Sequence, residues 1–120
     1  MQRKLGGVVL NGAVRDVDAC EEFGFPVHAR GTVPITARGR IVQEAWGVPV
    51  RLGDVAVRPG DVVVADVNGV VVIAIEQLDR VLDAAEAIFD KETRMVEALR
   101  AGRPIVEVDR EFNYERMLER

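Results

Sequence analysis

The chain has 120 residues, 48% of them apolar, and a formal net charge of −4, which fits one modest globular domain and excludes a disordered protein. Its pI of about 5.0 and its aromatic content of 5% argue against direct nucleic-acid binding, because neither a basic face nor a base-stacking platform is available. Cys20 is the single cysteine, so an internal disulfide framework and a cysteine-based zinc site are excluded, and a reducing cytoplasmic location is expected.

Targeting and membrane segments are not expected either. The apolar runs are too short to span a bilayer, which argues against a membrane partner. Arg3 and Lys4 lie near the N-terminus, but no long apolar segment follows them, so we expect no signal peptide. Without a repeat, a low-complexity segment or an obvious linker, the chain is predicted to form a single domain over residues 1–120.

The N-terminal part predicts a strand, a short helix and a second strand. Leu5 to Leu10 form an apolar run, and Asn11-Gly12 predicts a sharp turn after it, because both residue types tolerate positive φ. Asp16 is the predicted N-cap of a short helix that ends at Gly24. The next strand is predicted at 25–29.

The middle of the chain is predicted to be rich in strands. Residues 30–40 contain Gly, Thr and Pro and predict an irregular loop. Arg58 to Asp61 predict a turn, and Asn68-Gly69 between two apolar runs predicts a hairpin. The strands themselves are predicted within 41–50, where one or two are expected, and at 55–57, 62–65 and 70–73.

A long helix is predicted over residues 78–99, ended by Gly102 and Pro104. Its apolar seam consists of Leu78, Val81, Leu82, Ala85, Ile88, Phe89, Met95, Val96 and Leu99. Glu92 interrupts this seam, seven residues from both Ala85 and Leu99. A carboxylate there needs a partner, or lies where the helix leaves its own domain, or is solvated on an overhang. Residues 103–120 are predicted to form a peripheral tail with a short charged helix at about 111–118.

Arg15 and Asp16 are the residues that point most directly to chemistry. They follow the first strand, and ligands of α/β folds bind beyond the carboxyl ends of strands. A guanidinium can hold a carboxylate in a bidentate fork, and an aspartate can hold a hard divalent metal, so the pair could bind a metal-chelated oxo-acid. Taken without further context, an N-cap aspartate beside a surface arginine is the better explanation of the pair.

Other polar residues have plainer interpretations. His28 lies in a predicted strand among apolar residues and is expected to be structural, because no partner is close in sequence. Cys20 is expected to pack on its helix rather than act as a nucleophile. Arg30 and Arg38 could pair with substrate carboxylates, although arginines in loops are usually solvated.

Four blocks in order resemble the RraA-like family, and the resemblance extends from about Leu5 to Gly102. The blocks are Gly7–Asp16, Phe25–Gly31, Arg58–Asp66 and Asn68–Ile73. That family includes 4-hydroxy-4-methyl-2-oxoglutarate/4-carboxy-4-hydroxy-2-oxoadipate aldolases and regulators of ribonuclease E, and many members carry an old demethylmenaquinone methyltransferase label. The chain has no glycine-rich cofactor motif to support a methyltransferase.

The resemblance implies an α/β fold, a swivelling β/β/α domain that is short at its N-terminus and has a long C-terminal helix. It also implies a homotrimer or higher oligomer with sites between subunits. The implied activity is a class II pyruvate aldolase dependent on Mg²⁺ or Mn²⁺, with oxaloacetate decarboxylation beside it. By resemblance, Arg15 binds the oxo-acid and stabilises the enolate, Asp16 ligates the metal, and Glu92 reaches a neighbouring subunit's metal through water.

Two departures from the family pattern bear on activity. Asn11 stands where the family has an aspartate, which removes a charge. The family's N-terminal region, which carries a further acidic residue and a loop whose amides grip the pyruvate carboxylate, has no counterpart here. We therefore expect one of three functions: a shortened aldolase, one subunit of a split aldolase completed by a second polypeptide, or a non-catalytic regulator of the ribonuclease E type.

Overall fold

The structure is a computed structural model, and it describes residues 4–114. Residue contacts divide the chain into two compact units, Met1–Ile75 and Glu76–Arg120. This division is based on contacts alone and does not test the predicted domain organisation. A single domain over residues 1–120 with a peripheral tail from residue 103 therefore stays a prediction. Within the described residues, no helix combines the length and the apolar character that crossing a membrane requires.

The first unit holds six short strands and one short helix. The first two strands pair in parallel and are connected by the helix, and two antiparallel hairpins follow along the chain. The bounds are β1 Val8–Val14, α1 Val17–Glu22, β2 Val27–Thr32, β3 Val50–Leu52, β4 Val55–Val57, β5 Val62–Asp66 and β6 Gly69–Ile73. The predicted mixture of strands and helices is therefore confirmed for this unit.

Asn11-Gly12 lies inside β1, so the predicted sharp turn is wrong. Val8 pairs with Val27 and Leu10 with Ala29, and the register then shifts between Leu10 and Ala13. Gly12 is absent from the glycines with positive φ. The partner strand continues alongside to Thr32, so the chain absorbs Asn11-Gly12 as an irregularity within the ladder and extends to Val14.

The strands predicted within 41–50 are also wrong, because only Val50 of that range belongs to a strand. Ile41, Val42 and Trp46 are 74–85% exposed and have no partner strand, so they do not form a strand despite their high β propensity. The short strand at 55–57 is confirmed and pairs with β3 around the turn at Gly53, whose φ is +63°.

The hairpin β5–β6 is confirmed, with Val67 and Asn68 as its two loop residues. The Asp66 carboxylate accepts hydrogen bonds from the backbone N–H groups of Asn68 (2.7 Å) and Gly69 (3.2 Å) and from the Asn68 side chain (3.2 Å). These donors favour the charged carboxylate, so they hold the pKa of Asp66 below its ordinary value, with the Asn68 backbone as the largest cause.

The first unit buries little apolar surface. Ile73 is its one buried hydrophobic residue within the described part of the chain. Val63 and Val64 are adjacent in β5 and are 41% and 56% exposed, so neither face of this hairpin is fully covered. Apolar residues on both faces are typical of a strand that is covered on both sides.

The second unit consists of two helices, α2 Leu78–Arg100 and α3 Ile105–Phe112, preceded by a 3-10 turn at Ile75–Gln77 that begins in the first unit. Val108 of α3 is fully buried at 0% exposure, and the Arg94 guanidinium lies 5.9 Å from the Phe112 ring centroid. Arg103 donates to the Glu111 carboxylate, which holds the pKa of Glu111 below its ordinary value. The helix pair is therefore joined through the buried Val108 side chain and through exposed polar contacts.

The long helix and its end are confirmed, but the seam is only partly buried. Leu78, Val81, Ile88 and Met95 are half-buried, whereas the rest of the predicted seam is exposed: Leu82, Ala85, Phe89, Val96 and Leu99. The last helix begins at Ile105 rather than near Glu111, since Pro104 supplies the extended residue before it. Residues 115–118 of the predicted helix lie outside the described residues.

Candidate functional site

Arg15 and Asp16 lie together between the end of β1 and the start of α1. Arg15 Nε donates to Asp16 Oδ2 at 2.8 Å, and the two side chains are 47% and 64% exposed. Asp16 occupies the N-cap position in the left-handed region at φ 60°, and its side chain makes no cap hydrogen bond. The predicted N-cap position is therefore confirmed, but the Asp16 carboxylate accepts a hydrogen bond from Arg15 instead of capping the helix.

Both side chains of this pair can bind a ligand. Among the described residues, Arg15 uses one of its five N–H donors on Asp16, and the other four are available for an anion. Asp16 Oδ1 accepts no hydrogen bond within residues 4–114, so it can face a cation or water. An exposed ion pair contributes only about 0–1 kcal/mol, so a ligand can rearrange it at little cost.

The Arg15–Asp16 pair could hold a divalent metal only through a single carboxylate. No cluster of three or more His, Cys, Asp or Glu side chains suited to a metal occurs in the part of the chain that the structure describes. Asp16 would therefore be a lone protein carboxylate, beside a cation that disfavours the metal. Mg²⁺ accepts one carboxylate with several waters, so the donor set fits an ion that also binds a chelating oxo-acid.

Glu92 is exposed on α2, on the same side as Ala85 and Leu99. The prediction that it shares their face holds, but that face is open rather than part of a core. The side chain of Glu92 forms no hydrogen bond or ion pair with any residue between 4 and 114. The structure thus brings Arg15 and Asp16 together, while Glu92 belongs to the second unit.

A cavity of about 910 Å³ lies within the first unit and is separate from the Arg15–Asp16 pair, neither of which lines it. Its wall comes from β1, α1, β2, the β3–β4 turn and the β5–β6 hairpin. His28 and Cys20 lie half-buried on this wall, consistent with the packing roles predicted for them.

A bridge centred on Asn11 joins three parts of this wall. Asn11 Oδ1 accepts from Arg30 Nε at 2.6 Å and from the Gly53 backbone N–H at 3.2 Å. Arg30 belongs to β2 rather than to the predicted loop, whereas Arg38 is exposed beyond it. The sequence did not predict this bridge, because its partners lie 19 and 42 positions from Asn11.

Known proteins give the following similarities. A family model described as RraA-like (Aldolase/RraA) matches residues 1–72. A candidate 4-hydroxy-4-methyl-2-oxoglutarate aldolase of Halalkalibacterium halodurans is 40% identical over 88 residues, which are 72% of this chain and 41% of that protein. Protein DlpA of Legionella pneumophila is 30% identical over 115 residues, which are 96% of this chain and 19% of that protein.

Solved structures agree with these matches. An uncharacterized protein from Pseudomonas syringae superimposes with a TM-score of 0.77 at 29% identity, over 81% of this chain and 48% of that one. Streptomyces coelicolor RraAS2, described as an unusual member of the RNase ES inhibitor RraA protein family, gives a TM-score of 0.58 at 33% identity, over 70% of this chain and 44% of that one.

These matches decide fold and family. The chain spans half or less of the length of the curated relatives above. The predicted α/β fold of the RraA-like type with a long helix towards its C-terminus is confirmed. Because the family model covers more than half of the residues, the chain belongs to the RraA-like family.

Proposed function

We propose that this chain contributes the Arg15–Asp16 part of an aldolase site that cleaves 4-hydroxy-4-methyl-2-oxoglutarate-type acids and releases pyruvate. The observation that carries the proposal is the 2.8 Å pairing of Arg15 with Asp16 beyond the end of β1. Relatives named as candidate aldolases of this substrate support the reaction class. The reaction breaks the C3–C4 bond: the C4 hydroxyl gives up its proton as C4 becomes a carbonyl, the electron pair of the bond passes to the pyruvate enolate, and the enolate takes up a proton to leave as pyruvate.

Each member of the pair has a separate task. Asp16 would hold Mg²⁺ or Mn²⁺ through its free oxygen, and such an ion would supply Lewis-acid stabilisation of the negative charge that develops on the oxo-acid. Arg15 directs its free N–H groups at the oxo-acid, and its fixed charge stabilises the oxygen on which negative charge develops. The same charge stabilises the enolate formed from oxaloacetate, so decarboxylation of that acid is proposed as a second activity.

The proposed assembly is a cytoplasmic homotrimer or higher oligomer. Glu92 is proposed to reach a neighbouring subunit's metal through water, which its exposed position on α2 would permit. The exposed apolar residues beside it, including Phe89 (68% exposed) and Val96 (43% exposed), support a helix face that another subunit covers. A mass measurement on the purified chain by light scattering tests this part, and a monodisperse monomer would contradict it.

A second polypeptide is proposed to complete the site. The chain matches less than half of each aldolase-named relative, and the faces of β5–β6 remain partly uncovered. A polypeptide corresponding to the rest of the family fold would cover Val64 and Val71 of this hairpin, which do not line the cavity, and would bring further ligands to Asp16. Co-purification from the native host tests this partner.

The decisive experiment is pyruvate release from 4-hydroxy-4-methyl-2-oxoglutarate and from oxaloacetate, followed with lactate dehydrogenase. It uses the full chain, alone and together with any co-purified partner, with and without Mg²⁺ or Mn²⁺. Arg15→Lys should lower kcat about 10²–10³-fold, the usual effect of losing one donor to a developing oxyanion. Asp16→Asn should abolish the metal-dependent rate, whereas Asp18→Asn on the first turn of α1 serves as the matched control. Absence of pyruvate from both preparations would refute the proposal.

A non-catalytic regulator is the alternative, favoured by the similarity to the structure described as a member of the RNase ES inhibitor family. In that case the chain inhibits RNA cleavage by ribonuclease ES, and the Asp16→Ala variant inhibits equally well. Inhibition without pyruvate release would favour the regulator, and the reverse outcome would favour the aldolase.

A further inference from the structure

Among the described residues that line the cavity of the first unit, Arg30 supplies the one guanidinium and His28 the one imidazole. The same wall includes Glu21 and Asp66, together with apolar residues such as Leu10 and Val70. Most of the surface is therefore suited to an apolar group, with a single guanidinium at one place.

Arg30 is held in position by two other parts of the fold. Asn11 Oδ1 accepts from its Nε at 2.6 Å and also from the Gly53 N–H, so β1 and the β3–β4 turn meet at this guanidinium. A Cβ at Gly53 would lie 3.2 Å from Arg30 Nη2, so the absence of a side chain there makes room for the guanidinium. A guanidinium that is already oriented loses less conformational entropy when it binds.

The charge of Arg30 is not compensated by an acid. The group that positions it is a neutral carboxamide, and no carboxylate between residues 4 and 114 forms an ion pair with Arg30. Asp66 on the same wall is engaged by three donors of its own turn. The Nη groups of Arg30 are consequently available, and they have the geometry of a bidentate carboxylate fork.

We propose that Arg30 binds the carboxylate of a small organic acid whose apolar part lies in this cavity, and that Asn11 is the positioning residue. A single carboxylate matches the wall better than a phosphate, because Glu21 and Asp66 would repel a second negative charge. The site is distinct from Arg15–Asp16, and it does not depend on the function proposed for that pair.

The test compares hexanoate with its neutral analogue hexanamide. Binding to the full chain at pH 7 is followed by the NMR chemical shift of the Gly53 amide, which donates a hydrogen bond to Asn11 Oδ1. Hexanoate should bind at least tenfold more tightly than hexanamide, because a charge-assisted fork is lost in the amide. Inorganic phosphate should bind more weakly than hexanoate.

Variants separate this role from a purely structural one. Asn11→Asp keeps the shape and the acceptor for Arg30 but neutralises its charge, so hexanoate affinity should fall about tenfold while hexanamide affinity is unchanged. Arg30→Gln should remove the preference for hexanoate, Arg30→Lys should restore part of it, and Arg38→Gln is the control for net charge. If the Arg30 variants fail to fold, the hexanoate and hexanamide affinities of Asn11→Asp are sufficient to test the proposal.

Three outcomes would overturn the proposal. One is equal affinity for hexanoate and hexanamide, another is a hexanoate affinity that Asn11→Asp leaves unaltered, and the third is no binding of either compound. The pyruvate assay reports on Arg15 and Asp16 alone, so failure of one proposal is distinguishable from failure of the other.

Discussion

Gly7 and Gly6 are neighbours in sequence, but substitution by alanine should have opposite effects on stability. A Cβ at Gly7 would lie 2.9 Å from the Pro26 carbonyl oxygen, which is closer than real Cβ contacts, and 3.3 Å from the Pro26 Cβ, which is tighter than most of them. The same Pro26 oxygen accepts the Val8 N–H at 2.9 Å, at the start of the β1–β2 pair. A Cβ at Gly6 meets nothing within 4 Å.

The magnitudes follow from two opposing terms. Alanine restricts the unfolded chain more than glycine does, which stabilises the folded state by about 0.4–1 kcal/mol where the native backbone permits it. Neither position has positive φ, so both substitutions gain this term. Gly7→Ala must also push two backbone segments apart, and overpacking of this kind costs about 1–3 kcal/mol. The two variants should therefore differ by about 1–3 kcal/mol, with Gly7→Ala less stable.

Thermal unfolding of the full chain and its two variants measures this difference. For a unit of this size, each kcal/mol corresponds to about 4–8 °C in Tm, so Gly7→Ala should melt at least 4 °C below Gly6→Ala. Hydrogen exchange at the Val8 amide locates the effect at the start of β1. Equal Tm values would show that β1 and Pro26 can move apart without cost, which would refute the predicted steric conflict at Gly7.

The remaining predictions concern the helix pair and the hairpin. Val108→Ala removes two methyl groups at full burial and should cost about 2 kcal/mol in a urea titration, whereas Val106→Ala, at 66% exposure, should change little; equal effects would contradict the packing described. The folded pKa of Asp66 is depressed, so its stabilising contribution is present above its unfolded pKa of about 3.9 and is lost as pH falls through the lower folded value. An NMR titration should place this pKa below 3.9, and Asn68→Ala should raise it part of the way, since the backbone donors remain; an unshifted value in the original chain would refute the assignment.

Features determined by near neighbours in sequence were predictable. Asn68-Gly69 between two valine-rich runs predicted the β5–β6 hairpin, because a short turn between two adjacent apolar runs determines the pairing locally. The adjacency of Arg15 and Asp16 follows from their consecutive positions. The long helix followed from its period and from Gly102, which adopts a φ of +85° after the last turn.

Features that depend on distant partners were not predictable. Asn11-Gly12 has the composition of a turn, and only the parallel β2 alongside it makes the chain continue as a strand. The Asn11 bridge joins residues 19 and 42 positions apart, for which one sequence carries no signal. Residues 41–49 have strand-forming side chains, but strand formation also requires a partner, and none pairs with them among the described strands.

The pairing of strands in this molecule has a practical consequence. Within residues 4–114 each strand has a single hydrogen-bonded neighbour, so every strand is also an edge strand. Unpaired backbone groups beside exposed valines are templates for intermolecular β pairing. We therefore expect self-association to compete with folding as protein concentration rises, and recovery after dilution from denaturant to be better at low micromolar than at high micromolar concentration.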